Sequence, residues 1–140
     1  MDWREEEAIE YIKENIHLID IYNFEKFYSE CTNKLIIGTV TKFLLEAGID
    51  PLKYLNTVPE RFLEGSYIKS FTIPNHVRGI EYKSFSDCRK ITSVVIPDSV
   101  MTIDKAAFQG CIKLEDINIP SSVTSIGSGS FINCKKKLQI

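Results

Sequence analysis

The chain has 140 residues, of which 44% are hydrophobic and 26% are charged, so it can bury one ordinary core. Its net charge of −2 divides into −6 over residues 1–67, with 13 acidic and 7 basic side chains, and +4 over residues 68–140, with 6 and 10. That balance argues against a dedicated nucleic-acid binder. With no basic, apolar leader and no apolar run of about 20 residues, we expect a cytoplasmic protein without a signal peptide or membrane contact.

The first third of the chain has the spacing of helices. Isoleucines predict an amphipathic first helix over residues 4 to about 17, with the acidic Glu5 to Glu7 in its favourable first turn: Ile9, Ile12, Ile16 and Ile19. A second apolar set, behind an Asn23 cap, predicts a second helix: Phe24, Phe27, Tyr28 and Cys31. A third set, ended by Gly48, predicts a third helix: Ile36, Val40, Phe43, Leu44 and Ala47.

Shorter helical signals come next. Asp50 and Pro51 combine a cap with a first-turn proline, which predicts a short helix, and residues 59–63 are expected to form one more helical turn. Residues 40–51 are also similar to the second helix and exit turn of an ankyrin repeat, although no second copy is present. The preferred interpretation is that residues 1–67 form a cap of three to five helices that covers the N-terminal end of residues 68–140.

The rest of the chain repeats one 23-residue unit three times without a gap, at residues 68–90, 91–113 and 114–136, followed by a partial unit at 137–140. The apolar and cysteine columns are Ile68, Ile91, Leu114; Phe71, Val94, Ile117; Ile73, Ile96, Ile119; Val77, Val100, Val123; Ile80, Ile103, Ile126; Phe85, Phe108, Phe131; and Cys88, Cys111, Cys134. A unit this short cannot bury its apolar side alone, so the units must stack and each column becomes a ladder.

Each unit contains signals for two strands and a turn. The opening spacing L-x-x-I-x-I predicts a strand whose intervening side chains face outward. Proline comes directly after it, at positions 74, 97 and 120, and ends the strand because it has no N–H to donate to the next unit. The spacing V-x-x-I predicts a second short extended segment. The segment x-x-F-x-x-C is then the turn that returns an aromatic ring to the interior.

These units resemble the BspA-like leucine-rich repeats, whose pattern is close to L-x-x-I-x-I-P-x-x-V-x-x-I-G-x-x-A-F-x-x-C, over residues 68–136. Gly127 and Ala107 fit the glycine and alanine positions, whereas Glu81 and Asp104 depart from the glycine. The resemblance implies an α+β chain, in which an N-terminal helical cap leads into a short leucine-rich-repeat parallel β-solenoid of three 23-residue coils. It also implies a habit of protein binding, and it points to the short intracellular proteins of bacteria and phages that share this architecture.

No catalytic or metal-binding constellation is visible, so we expect neither an enzyme nor a cofactor. His17 closes the first helix and has no cysteine or aspartate nearby at ligand spacing, and His76 lies just after a strand-ending proline, where a surface turn residue without a catalytic role is expected. The 23-residue spacing of the last three cysteines belongs to the repeat and to no zinc or redox motif. In a reducing cytoplasm we expect Cys31 and the three repeat cysteines to be buried free thiols.

Two surfaces are candidates for partner binding. The first, the strand face, consists of the outward positions of the first strands: Lys69, Ser70, Thr72, Thr92, Ser93, Val95, Glu115, Asp116 and Asn118. The second, the basic ridge, consists of basic side chains at the ends of the units: Arg89, Lys90, Lys113, Lys135, Lys136 and Lys137. A basic ridge suits an acidic protein or nucleic acid, and the alternative is a solvated turn that keeps neighbouring molecules apart.

The C-terminal end of the solenoid is predicted to be open, because the repeat register slips after Cys134 and no capping helix is predicted there. Either the lysines at this end protect the edge, or the edge is closed by a second copy, as a homodimer, or by a partner that adds a strand. The leading functional hypothesis is a protein-binding module without catalytic activity. The alternative is an intracellular inhibitor or effector, of phage origin, that acts on a bacterial enzyme or nucleic-acid-binding complex through its acidic helical third.

Overall fold

The computed structural model describes residues 4–15, 21–31 and 33–135, and it begins with three helices. They are α1 at Glu5–Asn15, α2 at Ile21–Glu30 and α3 at Ile37–Glu46, with short 3-10 helices at Lys34–Ile36 and Pro51–Tyr54. Some residues used in the sequence predictions lie outside the described ranges: Ile16, His17, Ile19, Lys136 and Lys137.

The predicted C-terminal end of the third helix and the predicted start of the short helix after it are both confirmed. Beyond α3, Gly48 has a φ of +81°, and Ile49 N donates to Leu44 O at 2.9 Å. A left-handed glycine of this kind closes a helix by satisfying its last carbonyls. Asp50 Oδ1 then accepts a hydrogen bond from Leu52 N at 3.0 Å and caps the next turn as predicted.

The predicted cap of the second helix is wrong. Helix α2 begins at Ile21, so Asn23 is its third residue. A side chain can cap a helix only when its own backbone lies outside the helix. The apolar spacing that located α2 shows which residues share a face, and it leaves the first turn undefined.

Within the described residues, seven short strands form two parallel sheets: β1 Thr57–Val58, β2 Ser70–Thr72, β3 Gly79–Ile80, β4 Ser93–Val95, β5 Thr102–Ile103, β6 Asp116–Ile117 and β7 Ser125–Ile126. One sheet has the order β1-β3-β5-β7 and the other β2-β4-β6. Ser70 pairs with Ser93, and Ser93 pairs with Asp116, so neighbouring strands are one 23-residue unit apart. The parallel β-solenoid predicted from the repeat is confirmed.

Residues 59–63 form a turn, closed by a hydrogen bond from Phe62 N to Pro59 O at 3.1 Å, but they do not form a helix, because the neighbouring N–H groups bond to the first coil. Strand β1 pairs with β3, and the N–H groups of Arg61 and Leu63 donate to carbonyls of the first coil at 3.0 and 2.7 Å. Arg61 and Gly65 have φ angles of +59° and +72°, which a right-handed helix does not contain. The four-stranded sheet therefore begins upstream of residue 68.

The phenylalanine column forms a stack along the solenoid axis. The ring centroids of Phe85 and Phe108 are 5.1 Å apart at an interplanar angle of 2°, and those of Phe108 and Phe131 are 5.3 Å apart at 6°. Ring contacts continue from Phe85 toward the helices through Phe71, Phe62 and Tyr28. One aromatic row thus joins the helical cap to the last described coil.

The cap shares a core with the solenoid. Tyr28 is buried, and its hydroxyl oxygen lies 2.7 Å from Thr41 Oγ1. Burial raises the pKa of Tyr28, and the hydrogen bond with Thr41 offsets only part of that rise. A Cβ atom on Gly38 would lie 2.6 Å from Glu64 O, so α3 rests directly on the turn before the first coil. This close approach holds the cap against the solenoid edge.

Candidate interaction surfaces

The strand face is a grid of outward side chains on β2, β4 and β6. Thr72 pairs with Val95, and the same register places Asn118 beside Val95 on the next coil. All nine predicted positions are exposed apart from Ser93, which is half-buried. Val95 is an apolar side chain that is 56% exposed in the middle of this otherwise polar grid.

The floor beneath the strand face is closely packed. Val94 and Ile117 point inward from β4 and β6 and are 3% and 2% exposed. Ile91 and Leu114, which open the second and third units, are fully buried. Side chains on such a floor are presented by a rigid backbone, so their positions are set before a partner arrives.

The basic ridge adjoins the strand face along the turn that precedes each first strand. The four ridge residues that the structure describes are all exposed: Arg89, Lys90, Lys113 and Lys135. Lys135 Nζ lies 2.9 Å from Glu115 Oε2, so the last coil neutralises its own lysine. Within the described part of the chain, the other three cations form no ion pair, and the free positive charge is concentrated on the first two coils.

The four cysteines, all within the described residues, are buried as expected, and none of them forms a disulfide. Each repeat thiol donates to a carbonyl of the preceding coil: Cys88 to Leu63 O at 3.0 Å, Cys111 to Phe85 O at 3.0 Å and Cys134 to Phe108 O at 3.1 Å. The contact with Cys134 lowers the pKa of Cys111, but the contact with Cys88 and burial outweigh it and raise the pKa to about 12. A thiol that stays protonated is a poor nucleophile and metal ligand.

His76, the second of the two histidines considered as possible catalytic residues, forms a hydrogen bond that holds the fold together. His76 is exposed in the turn after β2, and its Nε2 lies 2.6 Å from Leu52 O. A carbonyl can only accept, so the ring donates and ties the first coil to the 3-10 helix of the cap. Among residues 4–15, 21–31 and 33–135, no three histidine, cysteine or acidic side chains group closely enough to hold a metal ion.

One feature next to the ridge was missed by the sequence interpretation. A cleft of about 320 Å³ opens between the end of α3 and the start of the first coil. Tyr67 forms one wall and is 69% exposed. Tyr67 precedes the first unit as Lys90 and Lys113 precede the second and third, and this aromatic residue in a lysine column was the available signal.

The helices that the structure describes include none long and apolar enough to cross a membrane. No curated protein matches the chain in a sequence comparison. Among solved structures, a leucine-rich repeat protein from Bacteroides ovatus ATCC 8483 is 34% identical with a TM-score of 0.52; the match covers 54% of this chain and 20% of that protein. The present chain thus spans about a fifth of that protein's length. The family model for the BspA type leucine-rich repeat region, with six copies, matches residues 55–140, and the chain therefore belongs to the BspA-type leucine-rich repeat family.

Proposed function

We propose that the chain is a protein-binding module without catalytic activity and that its partner contacts the strand face. Modules of this family generally mediate protein interactions. The observation that carries the proposal is Val95, which is 56% exposed on a rigid floor and is surrounded by polar side chains that can donate and accept hydrogen bonds. An apolar centre inside a polar rim is the usual anatomy of a protein interface.

The proposal assigns different tasks to the two parts of the chain. Residues 68–140 present the binding surface, and residues 1–67 cap the solenoid and supply its acidic end. Buried cysteines that form no disulfide among the described residues are typical of a reducing compartment, which supports a cytoplasmic location.

The test is capture of partners from a bacterial lysate on immobilised chain, followed by mass spectrometry. Val95→Arg places a long charged side chain in the centre of the strand face and is expected to abolish capture of a specific partner. Ser125→Arg introduces the same side chain at an exposed position of β7, which belongs to the other sheet, and serves as the matched control. Equal capture by both variants would exclude the strand face as the binding surface.

A second copy of the chain is a further candidate partner, through the C-terminal coil. Ile126 and Phe131 of that coil are half-buried, whereas their equivalents Ile103 and Phe108 are 1% and 0% exposed. Among the described residues no strand pairs with the outer edges of β6 and β7, and a strand edge beside partly exposed apolar side chains favours association with another edge. Sedimentation over a wide concentration range tests this: a species that remains monomeric throughout contradicts the homodimer.

The alternative function, inhibition of a bacterial enzyme or nucleic-acid-binding complex, is supported by α1. The carboxylates of Glu5, Glu6, Glu10 and Glu14 are all exposed on this helix. A row of exposed carboxylates can compete for a site that binds phosphates. Reversing the charge of Glu6 and Glu10 to lysine would then release a captured nuclease, whereas a partner of the strand face would remain bound.

A further inference from the structure

The cleft between α3 and the first coil is large enough for one apolar side chain. It is lined by the hydrophobic or aromatic side chains of Leu45, Leu63, Tyr67 and Ile68, by the buried Ser66, and by the exposed Lys42 and Glu46. Its volume of about 320 Å³ lies at the lower end of the range for ligand pockets. We call this site the Tyr67 cleft.

The cleft exists because the first coil has no preceding coil at this corner. Ile68 is half-buried, whereas Ile91 and Leu114 in the same column are fully buried. In the 23-residue register, Ile91 lies next to Ile68, and Leu114 lies next to Ile91 of the preceding coil. On the corresponding side of Ile68 lies the end of α3, which leaves a gap beside Leu45. The gap is thus an unfilled place in a ladder whose other places require a large apolar side chain.

The Tyr67 cleft lies at one end of the basic ridge. Strands β2, β4 and β6 pair at a 23-residue offset, so Tyr67, Lys90 and Lys113 occupy one column. Adjacent parallel strands are about 4.8 Å apart, which puts the two lysine positions about 5 and 10 Å along the axis from the cleft wall. Arg89 lies beside Lys90, and Ile112, which is 49% exposed, lies beside Lys113. An apolar cavity is therefore followed by three cations that form no ion pair within the described residues.

We propose that the Tyr67 cleft and the basic ridge bind an acidic peptide segment that carries one large apolar anchor. The anchor fills the cleft, and carboxylates after it meet Lys90, Arg89 and Lys113. Successive side chains on one side of an extended peptide are about 6.7 Å apart, so carboxylates two and four positions after the anchor come within reach of these cations. The proposal rests on the protein-binding function, because it specifies the chemistry of a partner segment beside the strand face.

Charge and shape together favour a peptide over nucleic acid. Three free cations give only a weak, salt-sensitive attraction for a phosphate backbone. Phosphates are bound by cations and hydrogen-bond donors, so the apolar Tyr67 cleft and the exposed side chain of Ile112 would contribute nothing to binding a phosphate backbone. Both are used when the ligand combines apolar and acidic side chains, because burial of the anchor adds affinity that salt does not screen.

The experiment measures fluorescence anisotropy of labelled synthetic peptides against the full chain. The probes are short peptides with one leucine, phenylalanine or tryptophan followed by a run of glutamates, and two comparison peptides replace the anchor by serine or the glutamates by lysine. We expect binding of at least one anchored acidic peptide and about tenfold weaker binding of both comparison peptides.

The variants separate the two halves of the site. Lys90→Glu and Tyr67→Ser, both at exposed positions, are each expected to weaken binding about tenfold. Lys105→Glu reverses an exposed lysine outside the ridge and should leave binding unchanged. Circular dichroism and melting of each variant check that the fold is retained.

Several results would overturn the inference: no binding of any anchored acidic peptide at millimolar concentration, equal binding of the peptide with serine in place of the anchor, or equal effects of Lys90→Glu and Lys105→Glu. Tighter binding of an oligothymidine than of every peptide would assign the ridge to nucleic acid instead. If the peptides fail while Val95→Arg still abolishes partner capture, the strand-face function stands and only the inference about the cleft is lost.

Discussion

Replacing Phe108 by alanine tests whether the stacked rings hold the coils together. Phe108 is fully buried and lies between Phe85 and Phe131, at centroid distances of 5.1 and 5.3 Å. Truncating a buried phenylalanine to alanine costs about 3–5 kcal/mol, which includes the cavity and the two ring contacts. Small proteins unfold with free energies of about 5–15 kcal/mol, so Phe108→Ala should remove about a fifth of the total or more.

Phe131→Ala provides the comparison at the end of the same stack. Phe131 is half-buried and contacts one ring of the column, so its loss is expected to cost about 2 kcal/mol. Urea unfolding followed by circular dichroism measures both changes. With a slope of about 2 kcal/mol per molar urea, Phe108→Ala should lower the midpoint by about 2 M, roughly twice the shift for Phe131→Ala. An equal or smaller shift for Phe108→Ala would refute the argument that stacking across coils stabilises the fold.

Further predictions concern the cap and the thiols. Gly38→Ala should destabilise the chain by about 1–3 kcal/mol in thermal unfolding, because the added Cβ would lie 2.6 Å from Glu64 O. Helix propensity alone predicts that alanine stabilises the chain by about 1 kcal/mol. A variant that is more stable than the original chain would therefore show that Gly38 does not approach Glu64 this closely. Thr39→Ala, at an exposed position of the same helix, is the control and should be neutral or slightly stabilising. The pKa of Cys111 is raised from 9.0 to about 12, so its thiol loses its proton at a lower pH in the unfolded chain than in the folded one. The stability that comes from this difference should be complete below pH 9 and should be lost as the pH rises toward 12. In Cys111→Ala the free energy of unfolding should decrease less over the same pH range.

The repeat could be predicted from the sequence because packing imposes the same demand on every coil. An inward position between two coils must be filled by an apolar side chain of similar size, so the phenylalanine and cysteine columns recur at a fixed spacing. The parallel pairing results from the same demand. In the confirmed register, Ser70 pairs with Ser93 and Ser93 pairs with Asp116, so residues 23 positions apart in the sequence are neighbours in the sheet.

The segment before the first unit could not be recognised from that pattern, although its backbone adopts it. Leu63 N donates to Ser84 O as Phe85 N donates to Ala107 O, so Leu63 occupies a phenylalanine position. Arg61 has a φ of +59°, a left-handed backbone conformation that a glycine in the sequence would suggest but an arginine does not. Backbone pairing with the first coil compensates for unfavourable residue types, and no local sequence rule records that compensation.

The strand face could be predicted because side chains alternate along a strand, but the Tyr67 cleft could not. Its walls come from α3 and from the start of the first coil, and the distance between Leu45 and Ile68 is set by how the helix docks. Docking in turn depends on the contact of Gly38 with Glu64 O, which joins positions far apart in the sequence. Because the helices do not share the 23-residue repeat, the repeat pattern in the sequence cannot indicate a cleft between a helix and the first coil.

Three of the exposed apolar residues connect the repeat to its proposed function. Tyr67, Val95 and Ile112 are 69%, 56% and 49% exposed, and each stands beside or in a column of polar or charged side chains. Packing between coils places no demand on an outward position, so these three side chains contribute little to the fold. All three lie on or next to the first two coils, on the ridge and the strand face that adjoin each other, where the free cations also lie. A partner that crosses from the Tyr67 cleft to the strand face would bury all three at once, and the binding energy of the module should therefore be concentrated at this corner.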